Sequence, residues 1–377
     1  MAHASFGVFG RIRPLRLVIT KDGRSGGRRA AGANGCSPPP PGLRRATNVS
    51  SIQLIVVTLK VYLDLCKWRD LAHAAAGDRL GEPFREALTV ARASVDMGLA
   101  TFPLSAEHYM ETQARNRYAD RKQLAHVMLE LSRGGVMAGL EQLVPCEVDH
   151  ALKALFGRPL VPRSTQVFGL SIFQALGQSE WTIPIADQLT PLQHKAVEQV
   201  AQYFLLAGPP DGVSVPGLDR QAYRGPGHDF AQRQRELAQT LCGVSSGKRR
   251  DILIARRIMD IWVPIEEALR RAGIERTELT SLGRDGLTDF LQGVPSRWTE
   301  VEMLYQHYAN PQLVWQENDL VDLVTMCIAL VYCDVIVAEK FWVDMAHRAG
   351  LDRLYGATLL TNVGELPSVL IEASTPS

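Results

Sequence analysis

Lys60-Val61-Tyr62-Leu63-Asp64-Leu65-Cys66-Lys67-Trp68-Arg69-Asp70-Leu71-Ala72 changes its apolar period in the middle. The first part ends an Ile/Val/Leu-rich run that starts at Ile52, and it reads as a buried strand closing on the acid Asp64. The second part has helical spacing: Leu65, Trp68, Leu71, Ala72 and Ala75 recur at three and four residues, and Gly77 stands where a helix C-cap belongs. A strand that enters an amphipathic helix through an acid opens an α/β unit. Ligands of open parallel sheets bind outside the carboxyl ends of the strands, so Asp64 faces the expected cleft.

The same grammar returns near the other end of the chain. A helix over 319–330 leads to the strand Asp334-Val335-Ile336-Val337-Ala338-Glu339, and a further helix runs to Arg348. Residues 357–370 add an edge strand and a short turn. Close to the first strand, 82–97 reads as a helix and 100–104 as an extended piece. Ser105 then caps a helix through Glu111, and another helix spans 120–132. The middle is different. Helical stretches at 190–206, 228–243, 248–273 and 298–309 are joined by loops such as Gly208-Pro209-Pro210 and Gly225-Pro226-Gly227. The expected architecture is a three-layer α/β domain with a central parallel sheet. Residues 51–135 and 310–377 build it, and a mostly helical insertion over 136–309 interrupts it.

Composition narrows the setting. With 377 residues and 46% of them hydrophobic, the chain can bury a large core. The 41 basic and 40 acidic residues almost cancel, so any polyanion site must be a local patch. Six cysteines lie scattered without a CxxC pair, which fits a reducing, cytoplasmic compartment. Apolar runs such as Leu54 to Val57 are far too short to cross a bilayer. Only eight of the basic residues are lysines, a usage that suggests a GC-rich bacterial gene. Residues 1–50 hold eight arginines and one lysine against one acid, with Pro38 to Pro41 and no apolar period. They read as a disordered basic extension, most simply explained by a start assigned too far upstream.

The chemistry is carried by acids. Asp64 and Glu339 each end an apolar strand, and carboxylates that converge there repel one another unless a cation lies between them. Oxygen ligands suit Mg²⁺ or Mn²⁺ better than zinc. Such a cation neutralises charge on a phosphate and activates water, which is phosphodiesterase chemistry. The chain has no GxSxG elbow, GxxxxGK[ST] loop or HExxH to support a competing reaction.

These residues resemble the PIN-domain family of metal-dependent nucleases in three blocks. Val61 to Ala72 looks like the family's first strand and helix, with the metal-binding aspartate at Asp64. Phe102-Pro103-Leu104-Ser105, with Glu111 six residues on, is similar to its second block, in which a glutamate lies on a helix. Asn318-Asp319-Leu320-Val321-Asp322 followed by Tyr332 to Lys340 resembles its third. The resemblance spans about 58–135 and 310–372, and it departs from the family pattern where Val337-Ala338-Glu339 replaces a threonine-x-aspartate. It implies metal ligands among Asp64, Glu111, Asp319, Asp322, Asp334 and Glu339, with Asp64, Glu111, Asp322 and Glu339 as the catalytic set. It further implies Mg²⁺ or Mn²⁺, an endonuclease acting on nucleic acid, RNA before DNA, and as protein partners an inhibitor or antitoxin and a second copy. The alternative is a PIN-like scaffold that has lost catalysis and acts as a binding regulator.

Each acid also has a plainer role. Asp64 can be the N-cap of the following helix, and Asp319 and Asp322 fit N-cap and N3 positions. His108, three residues before Glu111, is better read as a hydrogen-bonded core histidine than as a ligand, and Trp68 and Trp342 as core rather than base-stacking platforms. Arg297 and Lys248-Arg249-Arg250 read as surface charges.

Overall fold

A computed structural model describes residues 58–157, 162–163, 166–170, 172–177, 190–213 and 224–373. The basic extension over 1–50 and the apolar start at Ile52 lie outside the described residues.

The strands are β1 (Leu59–Leu63), β2 (Ala100–Thr101), β3 (Val136–Met137), β4 (Phe168–Gly169), β5 (Val335–Val337) and β6 (Thr358–Leu360). Four of them form a parallel sheet in the order β2-β1-β5-β6. Its register sets Leu59 beside Ala100, Leu63 beside Val337, and Val337 beside Leu360. A parallel bridge from Leu104 to Val136 extends the pairing beyond β2, and β3 pairs antiparallel with β4. The chain thus moves away from β1 on one side, to β2 and then Val136. It comes back on the other side as β5 and β6. Between β1 and β5 the crossovers diverge, and that reversal leaves a crevice at the strands' carboxyl ends.

Side chains on the two central strands alternate between two cores. Val61, Leu63, Val335 and Val337 face one, with Trp68 and Leu71 of α1 (Leu65–Ala76), Leu88 and Ala91 of α2 (Arg85–Asp96), and Leu124 and Met128 of α4 (Tyr118–Ser132). Tyr62, Ile336 and Ala338 face the other, with Leu143 and Val148 of α5 (Leu140–Phe156) and with the helices Pro295–Ala309, Asp319–Tyr332 and Lys340–Ala349. Each large aliphatic side chain so buried contributes about 1.5–3 kcal/mol. Helix accounts for 72% of the structure, so the α/β element is a small sheet inside a largely helical protein. Most helices between 136 and 309 share the second core with the sheet, whereas Ile172–Ala175 and Pro191–Ala207 pack into the first.

Local signals explain most of the element ends. Asp64 has extended backbone and caps α1, which closes on Gly77 at φ 71° with its amide donating to Ala74 O. The buried face of α1 carries Trp68, Leu71, Ala72 and Ala74. Ala75 is exposed, so the stripe turns slightly from the expected one. Two expectations need larger correction. The helix expected over 248–273 is two, Ser246–Asp260 and Trp262–Ala272. Pro264 has no amide to donate and its ring would clash with the Asp260 carbonyl, so the ladder breaks at Ile261. The strand expected over 334–339 is ladder-paired only at Val335–Val337, with Glu339 already the N-cap of the next helix. Among the described residues no helix is long and apolar enough to cross a membrane.

Candidate metal centre at the sheet switch point

Asp64 follows β1 directly, and its amide donates to Val337 O at 2.9 Å, which locks the end of β1 to the end of β5. One carboxylate oxygen, Oδ1, accepts from Leu65 N at 2.6 Å. The other, Oδ2, accepts from Cys66 Sγ at 3.5 Å. Capping and a ligand role are therefore compatible, because different oxygens serve them. Glu339 leaves the neighbouring strand end with an exposed side chain that makes no capping bond. One ligand atom each from Asp64, Cys66 and Glu339 lies within 4.8 Å of the others. The cysteine was not legible as a site residue. Two residues beyond Asp64, it looks like an ordinary small apolar residue on the first turn of α1.

Glu111 reaches the crevice from α3 (Ala106–Ala114). Burial first, then the charges of Asp64 and Glu107, push its carboxyl up to about 8. Asp322, on the helix Asp319–Tyr332, is raised well above its ordinary range by burial and then by Asp64 and Glu111. Its Oδ2 accepts from Trp342 Nε1 at 3.0 Å, so this tryptophan is both core and orienting group. Asp64 itself is raised by burial and by Glu339, against the opposing pull of the Leu65 amide. Carboxylates that disfavour one another's ionisation in this way lack a counter-charge at their centre, and a divalent cation is what such a donor set fits.

Glu107 escaped the sequence reading. It is buried one helical turn before Glu111, and burial raises its carboxyl against the opposing influence of Ser105 and Thr325 nearby. The i,i+4 spacing of Glu107 and Glu111 was the available signal. Asp319 lies at the margin. Its Oδ2 accepts from Gln316 N at 2.6 Å, and burial, then Glu339, raise its carboxyl against that bond. Asp334 does not join the site. It stands at the amino end of β5, where its carboxylate accepts from Lys60 N at 2.6 Å. With about 3.3 Å per strand residue, that is about 13 Å from the level of Asp64.

His108 positions α3. The amide of Ser105 donates to Nδ1 at 3.0 Å, so the ring proton is on Nε2, which donates to Leu63 O at 2.8 Å. One neutral ring thereby ties the helix that carries Glu107 and Glu111 to the strand that delivers Asp64. Trp68 is fully buried against Phe102 and His108. Arg297 is buried too, paired with Glu300.

Cations line one flank. Arg115 follows α3 one turn after Glu111 and is half-buried, with its Nε lacking a hydrogen-bond partner among the described residues. Arg69 on α1 lies close enough for the two guanidinium charges to repel. Behind them the buried Arg121 donates to the carbonyls of Arg115, Asn116, Ala207 and Pro209, which fixes the backbone at Arg115. Two neighbouring guanidiniums next to an acid cluster suit an anion that also contacts a cation, as a phosphate does.

No family model matches the chain, and neither a curated protein nor a solved structure matches it. The likeness to PIN-type nucleases rests on the quoted residues alone.

Proposed function

We propose that this chain is a divalent-cation-dependent nuclease that hydrolyses phosphodiester bonds, in RNA before DNA. The observation that carries the reading is the approach of Asp64 and Glu339 to within 4.8 Å at the carboxyl ends of neighbouring parallel strands, with Glu111 and Asp322 near enough for their charges to act on the same acids. Arg115 and Arg69 beside them favour a phosphate over a neutral substrate. Asp64, Asp322 and Glu339 would hold Mg²⁺ or Mn²⁺. When bound, the cation supplies positive charge to the scissile phosphate and its leaving oxygen. The chain's own groups do the rest. Glu111, ionised once a cation offsets the charges of its acidic neighbours, accepts a hydrogen bond from the attacking water and receives its proton, Trp342 holds the Asp322 carboxylate in place, and the two arginines bind non-bridging oxygens. No side-chain nucleophile is needed. The fold this reading favours is a PIN-like α/β core enlarged by helices.

The test is cleavage of labelled single-stranded RNA and DNA by the full chain with Mn²⁺ or EDTA, beside Asp64→Asn. Cleavage that needs Mn²⁺ and disappears in the variant is the expected result. A folded protein that binds no Mn²⁺ and cuts neither polymer overturns the proposal.

A further inference from the structure

Oxygen ligands alone favour a hard cation, and the fold adds a sulfur to them. The first turn of α1 carries Cys66 back over the end of β1, with Sγ at 3.5 Å from Asp64 Oδ2. A tetrahedral ion with bonds of about 2.3 Å to sulfur and about 2.0 Å to oxygen keeps those two atoms about 3.5 Å apart. The pair already has the separation such an ion would impose. Glu339 Oε lies within 4.8 Å of both, and its exposed side chain can close the remaining distance by rotating. A further carboxylate, that of Glu111, lies near enough to Asp64 and Glu339 for their charges to act on it.

We infer that Asp64, Cys66 and Glu339 form a site for a thiophilic divalent cation of the Zn²⁺ or Cd²⁺ class, which occupies the crevice in place of a hard cation. Borderline and soft ions gain from sulfur ligation, whereas Mg²⁺ does not. On binding, the Cys66 thiol loses its proton to solvent and the sulfur takes the ion, so metal uptake and proton release go together. Zn²⁺ is then an inhibitor of the hard-cation reaction. Inhibition rests on the nuclease proposal; binding through Cys66 does not.

Cd²⁺ alone is the probe, added to the full chain while the ultraviolet thiolate-to-cadmium charge-transfer band is followed. Cys66→Ser keeps the size and a donor to Asp64, and circular dichroism checks its fold. The other cysteines remain in the variant, so the difference spectrum reports Cys66. Expected is a saturable band that Cys66→Ser removes and that excess Zn²⁺ displaces, with Cd²⁺ affinity about tenfold or more weaker in Glu339→Gln. An unchanged band in Cys66→Ser, or unchanged affinity in Glu339→Gln, overturns the site. The two proposals fail separately. A Cys66-dependent band in a protein that neither binds Mn²⁺ nor cuts RNA upholds this site and removes the nuclease. Mn²⁺-dependent cleavage without such a band does the reverse.

Discussion

Replacing Glu111 by glutamine should stabilise the cation-free protein while weakening its hold on Mn²⁺. In the folded chain the Glu111 carboxyl is pushed from an ordinary 4.5 up to about 8 by burial and by Asp64 and Glu107. Across that window the unfolded chain has lost the proton and the folded chain keeps it, so stability falls as pH rises from 4.5 towards 8. Each unit is worth about 1.4 kcal/mol. At pH 7 the strain reaches about 3 kcal/mol, and closer to 2 kcal/mol where water at the crevice mouth screens the charges. Glutamine fills the same space without the charge. Urea unfolding in EDTA should show Glu111→Gln more stable by about 2–3 kcal/mol at pH 7, with the advantage shrinking towards zero near pH 4.5. Calorimetry should show Mn²⁺ binding releasing fewer protons in the variant than in the parent. A variant that is no more stable at pH 7, or whose advantage does not change with pH, would refute the picture of an uncompensated acid cluster.

Three further outcomes follow from the same geometry. Trp342→Phe removes the donor to Asp322 Oδ2 and should weaken Mn²⁺ binding about tenfold or more in calorimetry; equal affinity would mean that Asp322 needs no orienting bond. Arg115→Ala should reduce single-stranded RNA affinity and lower the slope of log affinity against log salt by about one, read by fluorescence anisotropy over a salt series; an unchanged slope would take Arg115 out of phosphate contact. His307 is buried, stacked 3.7 Å from Trp315, and desolvation lowers its pKa from 6.5 to about 4. The unfolded chain therefore protonates first as pH falls through 6.5, and stability is lost down to about pH 4. Relative to His307→Gln, the parent should lose about 3 kcal/mol between pH 7 and pH 4, and parallel stability curves would rule this out.

Local sequence determined the element that matters most. Alternation in Val61-Tyr62-Leu63, the acid at Asp64, the helical stripe from Trp68 and the cap at Gly77 are readable because each reports a neighbour only a few residues away. Ser105 as a cap and the strand around Ile336 were legible for the same reason. Asp64, Glu111, Asp322 and Glu339 could be named as candidates. Asp334 could not be set apart from them, since its position at the amino end of β5 depends on the register with Lys60. Glu107 and Cys66 look ordinary until α3 and α1 are placed against the strand ends.

Tertiary structure alone decided that β5 returns on the far side of β1 from β2, because strand order is set by where a crossover of more than two hundred residues closes and no local signal encodes that. The same packing divided the helices of the middle segment between the two cores that flank the sheet. It also set the ionisation of the acids, which sequence cannot supply: a carboxyl's proton affinity depends on burial and on charges brought near by other segments. Residue types and local periods determined what could bind a cation, and the long-range closure of the chain decided which of those groups meet.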